Sequence, residues 1–365
     1  CTGQALDYRT DIYNLGAIAY QMLTGRPPFT GNSLDVIKQH GETAAIPIRK
    51  IRRKVPRQMA RTVAWALEKD PSKRIESAAG FGSAMRASLD TTGVLLRRGL
   101  ALCSEHFTKL FMVSLIAQLP VIALDVARLV LTLQEYGHGA RMESLKVAGV
   151  FGSMTGLVTF FASPVIIGVT IRLVTQLYVA PLRPLSLRPA IQAVKKRFWP
   201  LIYTAFMVAV GSIVGLILLI PGVLFYINSS LAAPVVVMEG LKGRKAIKRS
   251  KMLVKRSRLT VIAILLIQYL IPMLASSVSV ALIIGVLKSH GLLVLAGSVS
   301  SLLTNLFNIF IIPLIAVLTA LLYLKTRMVG GEVLKDMLSE FEEQDAPKTQ
   351  WQIRMRSTVY SASSK

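Results

Sequence analysis

Apolar positions along this chain fall into two regimes. Up to about residue 90 they come in short groups at helical spacing, divided by proline, glycine and charge. Between residues 110 and 325 they form long uncharged runs. The first group starts at Asp11 and ends at Phe29. No charge lies between Asp11 and Arg26, Gly25 suits a left-handed stop, and Pro27-Pro28 prevents continuation. Asp11 reads as the cap at the start. A helix of about 12 residues is too short to span a bilayer. Apolar on nearly every face, it belongs inside a domain, so residues 1–90 are expected to pack around it. A short amphipathic helix follows over 34–40, then a basic, proline-bearing connection over 41–56. Pro56 opens a further helix with Met59, Val63, Ala64, Ala66 and Leu67 at helical spacing. Residues 69–74 break it, and 77–85 form a last short helix. Strand signal is nearly absent.

The later runs cover 110–133, 147–171, 201–226, 259–287 and 291–324, each long enough to cross a bilayer. Charge placement demands a sixth crossing. One basic block (Arg172, Arg183, Arg188, Lys195, Lys196, Arg197) and another (Lys242, Arg244, Lys245, Lys248, Arg249, Lys251, Lys255, Arg256, Arg258) both belong inside under the positive-inside rule. The third run must therefore split, with Pro221-Gly222 as the turn and 223–238 as the return. The expected spans are then 110–133, 147–171, 201–220, 223–238, 259–287 and 291–324, with both termini cytoplasmic. Residues 91–109 read as a juxtamembrane joint, either an interfacial helix or a plain linker. Residues 326–365 read as a cytoplasmic tail with a short amphipathic helix on Val333, Leu334, Met337, Leu338 and Phe341, followed by a polar end.

Composition sharpens the class. The 365 residues carry a formal charge of +24 with 53% hydrophobic residues. An excess of that size suits nucleic acid or an anionic membrane surface. Because the basic blocks flank uncharged runs, the partner expected is anionic inner-leaflet lipid, not nucleic acid, and the location a plasma (inner) membrane. The helix carrying Arg244, Lys245, Lys248, Arg249, Lys251, Lys255, Arg256 and Arg258 is expected to lie on the headgroups. Cys1 and Cys103 make neither a disulfide framework nor a metal cluster, and the four histidines are scattered.

The first 90 residues resemble the C-terminal part of the large lobe of bacterial Ser/Thr protein kinases. The resemblance rests on Asp11-Ile12-Tyr13-Asn14-Leu15-Gly16, on Met22-Leu23-Thr24-Gly25-Arg26-Pro27-Pro28-Phe29, and on Lys69-Asp70-Pro71-Ser72-Lys73-Arg74, in that order. It implies three structural positions: Asp11 holding the catalytic-loop backbone, Gly16 closing the motif, and Arg74 pairing with a glutamate. Their bland readings are a helix cap, a packing glycine and a solvated charge. Phosphoryl transfer needs a glycine-rich loop, a phosphate lysine, a catalytic Asp and Asn, and a metal-binding Asp. The chain has no G-x-G-x-x-G, V-A-I-K, H-R-D or D-F-G, so it holds no catalytic, cofactor-binding or metal residue of that kind. ATP and Mg, and protein substrates, are expectations for a longer parent protein of which this chain reads as a piece.

Residues 221–250 resemble the membrane-anchoring domain of some bacterial glycerophosphodiesterases, through Pro221-Gly222, Glu239-Gly240, Ala246 and Arg249-Ser250. That implies placement in a membrane and no catalytic residue. Asp125 and Arg128, three apart, either pair inside the bundle or snorkel at the outer interface. Asn305 and Asn308, with Ser298, Ser300, Ser301 and Thr304, give the last span a polar stripe that serves interhelical packing or a ligand path. Gly152 and Gly156 form a G-x-x-x-G, and self-association through the membrane helices is a further expectation. The fold class expected is all-α, a partial kinase large lobe followed by a six-helix transmembrane bundle. The function expected is that of a fragment of a membrane-bound Ser/Thr kinase. The alternatives are a non-catalytic membrane protein using the lobe for docking, or a transporter or lipid-binding bundle.

Overall fold

The computed structural model describes residues 7–137, 141–179, 187–217, 220–289 and 295–333. Every element among the described residues is helical. The first unit contains α1 (Arg9–Thr24), α2 (Ser33–Glu42), α3 (Ile48–Ile51), α4 (Arg57–Ala66), a 3-10 turn (Pro71–Lys73) and α5 (Ala78–Ala87). Local chemistry sets their ends. Gly25 closes α1 in the left-handed conformation at φ 80°. Asn32, Asp70 and Ser77 each accept a backbone N–H at the start of α2, the 3-10 turn and α5. Ile12, Tyr20, Val63, Ala66, Ile75 and Phe81 form the core of this unit. A Cβ on Gly16 would stand 2.9 Å from the Ala66 Cβ, so the α1–α4 contact requires the glycine.

Two expectations for α1 need correction. Asp11 is not the cap: the helix begins at Arg9, Tyr8 precedes it without a side-chain capping bond, and Asp11 sits exposed in the first turn. There its charge still complements the helix dipole. Nor is α1 enclosed on all sides. Ile12, Gly16 and Tyr20 are buried, while Ile18 is 56% and Met22 78% exposed. α3, α4 and α5 pack on one side only, leaving Leu15, Ile18 and Met22 facing outward.

The second unit follows through α6 (Thr92–Glu105), α7 (Phe107–Gly137), α8 (Arg141–Val179), α9 (Leu187–Lys196), α10 (Phe198–Leu216), α11 (Ile220–Ser229), α12 (Ala232–Glu239), α13 (Arg244–Arg256), α14 (Arg258–Ser289) and α15 (Ala296–Val329). Six stretches are long and apolar enough to cross a membrane: Phe107–Gln134, Gly149–Leu177, Phe198–Gly215, Ile220–Glu239, Arg258–Lys288 and Ala296–Val329. The sixth span that charge placement required is therefore present, as α11 and α12 in succession. Pro221-Gly222 is not the turn itself. It occupies the first turn of α11, where proline is well tolerated. Gly215 lets α10 meet α11 there, since a Cβ on it would lie 2.6 Å from the Gly222 Cα. α8 runs 39 residues, about 58 Å at 1.5 Å per residue, well past the expected 147–171.

α15 is the axis of the bundle, packed against α5, α6, α7, α8 and α14, with its last third almost wholly buried. α6 packs on the bundle. Leu95 is 2% exposed, and a Cβ on Gly99 would come 2.7 Å from Leu318 Cδ2, so α6 lies flush along α15. The two units are joined by specific bonds. Gln58 Nε2 donates to the Arg256 carbonyl at 2.6 Å and to Ser257 Oγ at 2.7 Å. Lys325 Nζ donates to the Asp90 carbonyl and, at 2.9 Å, to Thr260 Oγ1. Of the amphipathic tail helix, all but Val333 lies outside the described residues.

Candidate functional site

In the first unit the kinase-like positions have distinct surroundings. The loop after α4 returns Arg74 to the start of α1. Its Nε donates to the Glu68 carbonyl at 2.6 Å, Nη1 to the Arg9 carbonyl at 3.0 Å and Nη2 to the Lys69 carbonyl at 3.0 Å. The guanidinium carbon lies 4.8 Å from the Tyr13 ring centre. Arg74 is thus a clamp on main-chain carbonyls, not a solvated charge. The Asp11 side chain makes no hydrogen bond among the described residues, and Gly16 serves the α1–α4 contact.

Beside Arg74 lies a group that motif reading did not single out. Lys69 Nζ donates to the His40 carbonyl at 2.8 Å, the Gln39 carbonyl at 3.1 Å and Tyr13 Oη at 3.2 Å, and sits 4.4 Å from the Phe29 ring centre. Tyr13 Oη meets His40 Nδ1 at 3.0 Å. Burial, then the Lys69 charge, lowers the His40 pKa below its ordinary 6.5. The folded unit therefore disfavours protonated His40. Its contribution is complete above 6.5 and declines as pH falls through the lowered folded value. Amide exchange in α2 is expected to be faster at pH 5.5 than at pH 7.5 after correction for intrinsic rates, and His40→Gln should flatten that difference. An unchanged difference in the variant would remove His40 as the cause. This network ties α1, α2 and the loop after α4 together, with all three Lys69 hydrogen bonds ending on protein oxygens.

Except for Arg258, the second set of sequence-selected residues lies on α13, which divides into two faces. The expected single basic helix breaks at Ser257, and Arg258 opens α14. Arg244, Lys245, Lys248, Lys251, Lys255 and Arg258 are exposed. Arg249 and Arg256 instead point inward, into ion pairs. Arg249 Nε contacts Glu239 Oε2 at 2.8 Å and its Nη2 contacts Glu332 Oε1 at 2.8 Å. Arg256 Nη1 contacts Glu332 Oε1 at 3.0 Å, and Arg327 Nε pairs with Glu332 Oε2. Tyr323 Oη donates to Glu239 Oε1 at 3.1 Å. The reason is steric as well as electrostatic. Gly331, at φ 79°, turns the chain back after α15, and Gly330, without a Cβ, leaves room for the Arg256 guanidinium. Burial pushes the Glu332 carboxyl up, but Arg327, Arg249 and Arg256 outweigh it and hold it below its ordinary range.

Within the bundle, Asp125 neither snorkels nor pairs with Arg128. It is fully buried, and its carboxylate accepts from Ser301 Oγ at 2.9 Å and Asn305 Nδ2 at 2.6 Å. Thr132 and Ser298 oxygens meet at 3.2 Å on the same α7–α15 seam. Ser298, Ser301 and Asn305 of the polar stripe are thus engaged in helix–helix hydrogen bonding, while Ser300 and Asn308 bond within α15. No group of three or more His, Cys, Asp or Glu suited to a metal occurs among the described residues.

No family model matches the chain. Over 77 residues, 21% of this chain, it is 40% identical to a probable serine/threonine-protein kinase of Clostridium perfringens, covering 11% of that protein. Over 88 residues, 24% of this chain, it is 39% identical to serine/threonine-protein kinase PknB of Mycobacterium tuberculosis, covering 13% of it. A probable PknB of Bifidobacterium longum is 39% identical over 80 residues, with 12% of its length covered. The chain therefore spans only about an eighth of the relatives it matches, and a segment of it is related to Ser/Thr protein kinases.

Proposed function

We propose that this chain is the membrane-anchoring part of a bacterial serine/threonine protein kinase, with residues 1–90 forming the C-terminal portion of the kinase large lobe. The observation that carries this reading is the 39–40% identity to kinases over a stretch as long as the first unit. Two features support it. The outward face of α1 (Leu15, Ile18, Met22) is an apolar surface of the kind a missing half-domain would cover. Arg74 spends three of its five N–H donors on carbonyls, which leaves two for the glutamate that the resemblance implies. ATP and Mg would bind residues outside this chain, and phosphoryl transfer to protein hydroxyls would occur there. The positive-inside rule supports a cytoplasmic position for the first unit, α9 and α13. The resemblance of 221–250 to a membrane-anchoring domain agrees with a role in placement only.

The α1 face also suits a second reading, in which the lobe docks another protein without any catalysis. One experiment separates the two. The complete reading frame containing this chain is expressed in membranes and assayed for transfer of phosphoryl from radiolabelled ATP to protein serine and threonine. Transfer by the complete protein, and none by residues 1–365 alone, is the expected result. A complete protein with no catalytic-loop H-R-D and no transfer would leave the docking reading. The transport alternative receives no support from Asn305, because its amide is already spent on Asp125.

A further inference from the structure

Where the two units meet, a cleft of about 590 Å³ opens between α4 and the α13–α14 junction. Its lining carries Arg57 and Arg61 on the first unit's wall, Lys255, Arg256 and Arg258 on the other, and Lys325 at the base. Asp90 is the acid in that lining, and its carboxylate is already taken by Arg98 at 2.7 Å. Arg256 is likewise committed, to Glu332. The side chains of Arg57, Arg61, Lys255 and Arg258 make no ion pair or hydrogen bond among the described residues. Four unneutralised cations thus face one concavity from two separate packing units. The Gln58 bonds to Arg256 and Ser257 hold those walls together against their mutual repulsion. Like charges lining a concave, low-dielectric surface focus a positive potential inside it. The N-terminal ends of α4, α6 and α14 open on the same space through Arg57, Thr92 and Arg258, and add the positive ends of three helix dipoles.

The geometry points to a phosphate-binding site at this joint, filled by the headgroup of an anionic glycerophospholipid. Depth selects lipid over a soluble phosphate. Arg258 is the first residue of the α14 span, and Lys325 lies one turn inside the end of the α15 span, so the cleft floor is at the membrane edge. Leu259, 73% exposed, and Ala263 continue the lining along α14 toward the apolar region, where acyl chains would lie. Arg57 and Arg61, in contrast, belong to the kinase-like unit. A lipid in the cleft would therefore bridge the membrane bundle and the first unit, making their contact dependent on membrane composition. The inference rests on the membrane placement of the six spans and on no part of the kinase reading.

The test uses the full chain in phosphatidylcholine nanodiscs, with a fluorescent phosphatidylglycerol as probe. Wild type should bind phosphatidylglycerol at least about tenfold more tightly than phosphatidylcholine. The variant Arg57→Gln/Arg61→Gln/Arg258→Gln should lose that preference. The variant Lys245→Gln/Lys248→Gln/Lys251→Gln, with the same charge removed from α13 outside the cleft, should keep it within about threefold. The single variants Arg61→Gln and Arg258→Gln, one from each wall, should each weaken binding, which keeps the test decisive should the triple variant fold poorly. Equal losses in the two triple variants would mean diffuse attraction and overturn the site. Displacement of the probe by inorganic phosphate at about 10 mM would assign the cleft to a soluble anion and overturn the lipid. Release of the wild-type chain from membranes by alkaline carbonate would instead overturn the membrane placement beneath it.

Discussion

Changing Glu332 to glutamine is expected to be among the most damaging single substitutions outside the spans. The carboxylate is the common acceptor of Arg249, Arg256 and Arg327, and its side chain is only 23% exposed. Glutamine keeps the shape but removes the charge, leaving three guanidinium groups crowded with one acid, Glu239, beside them. Removing one partner of a buried ion pair costs about 3–5 kcal/mol, because the remaining charge stays desolvated. The partial exposure of Glu332 places the expected loss near the lower end. Thermal denaturation of the detergent-solubilised chain, followed by circular dichroism, reads it directly. The pH dependence supplies an independent signature. Since the folded carboxyl lies below its ordinary 4.5, its contribution is complete above that value and is lost as pH falls through the folded one. Wild type should therefore lose stability on acidification in a window where Glu332→Gln shows a smaller change. A melting temperature within a degree or two of wild type would mean that water, not Glu332, solvates those arginines.

That cluster marks the boundary of what patterning along the chain reveals. The six spans were legible because a bilayer imposes a length and a composition, and because two basic blocks could share one side only if the third run split. Helix ends in the first unit were equally readable from Gly25, Asp70 and Ser77, whose local chemistry needs no distant partner. What escaped was everything decided by the partner of a helix. The seven basic residues of α13 form one run in sequence, yet Arg249 and Arg256 turn inward because Gly330-Gly331 brings Glu332 beneath them. A Gly-Gly-Glu directly after the last span was the available signal. Asp125 was read against Arg128, three residues away, whereas its donors Ser301 and Asn305 come from a helix about 180 positions later. The exposed side of α1 escaped for the opposite reason. Uncharged residues announce a buried face without saying whether the covering element belongs to the described chain. Asp11 likewise looked like a cap because helix starts are uncertain by a residue or two from sequence.

Replacing Arg74 with alanine is expected to loosen the first unit while leaving the bundle intact. The three carbonyl contacts, at 2.6, 3.0 and 3.0 Å, join the end of α4 to the first turn of α1. Hydrogen bonds to a charged group contribute about 1.5–3 kcal/mol each when fully buried. Arg74 is half-buried, and water would reach the freed carbonyls, so a total of about 2–3 kcal/mol is expected. Arg74→Lys should recover only part of it, because an ammonium cannot aim three donors along a planar fork or stack on Tyr13. The separateness of the two cores predicts where the loss appears. Ile12, Tyr20, Val63 and Phe81 belong to one cluster, and Leu231, Val236, Leu253 and Leu321 to another. Hydrogen exchange should accelerate in α1, α2 and α4 and remain at wild-type rates in α10 and α15. Equal acceleration in both units would mean that the joint at Gln58 and Lys325 couples them into one cooperative structure. In that case a change at the membrane edge would be transmitted to the kinase-like unit through the same bonds, and Lys325→Met should reproduce the exchange pattern of Arg74→Ala.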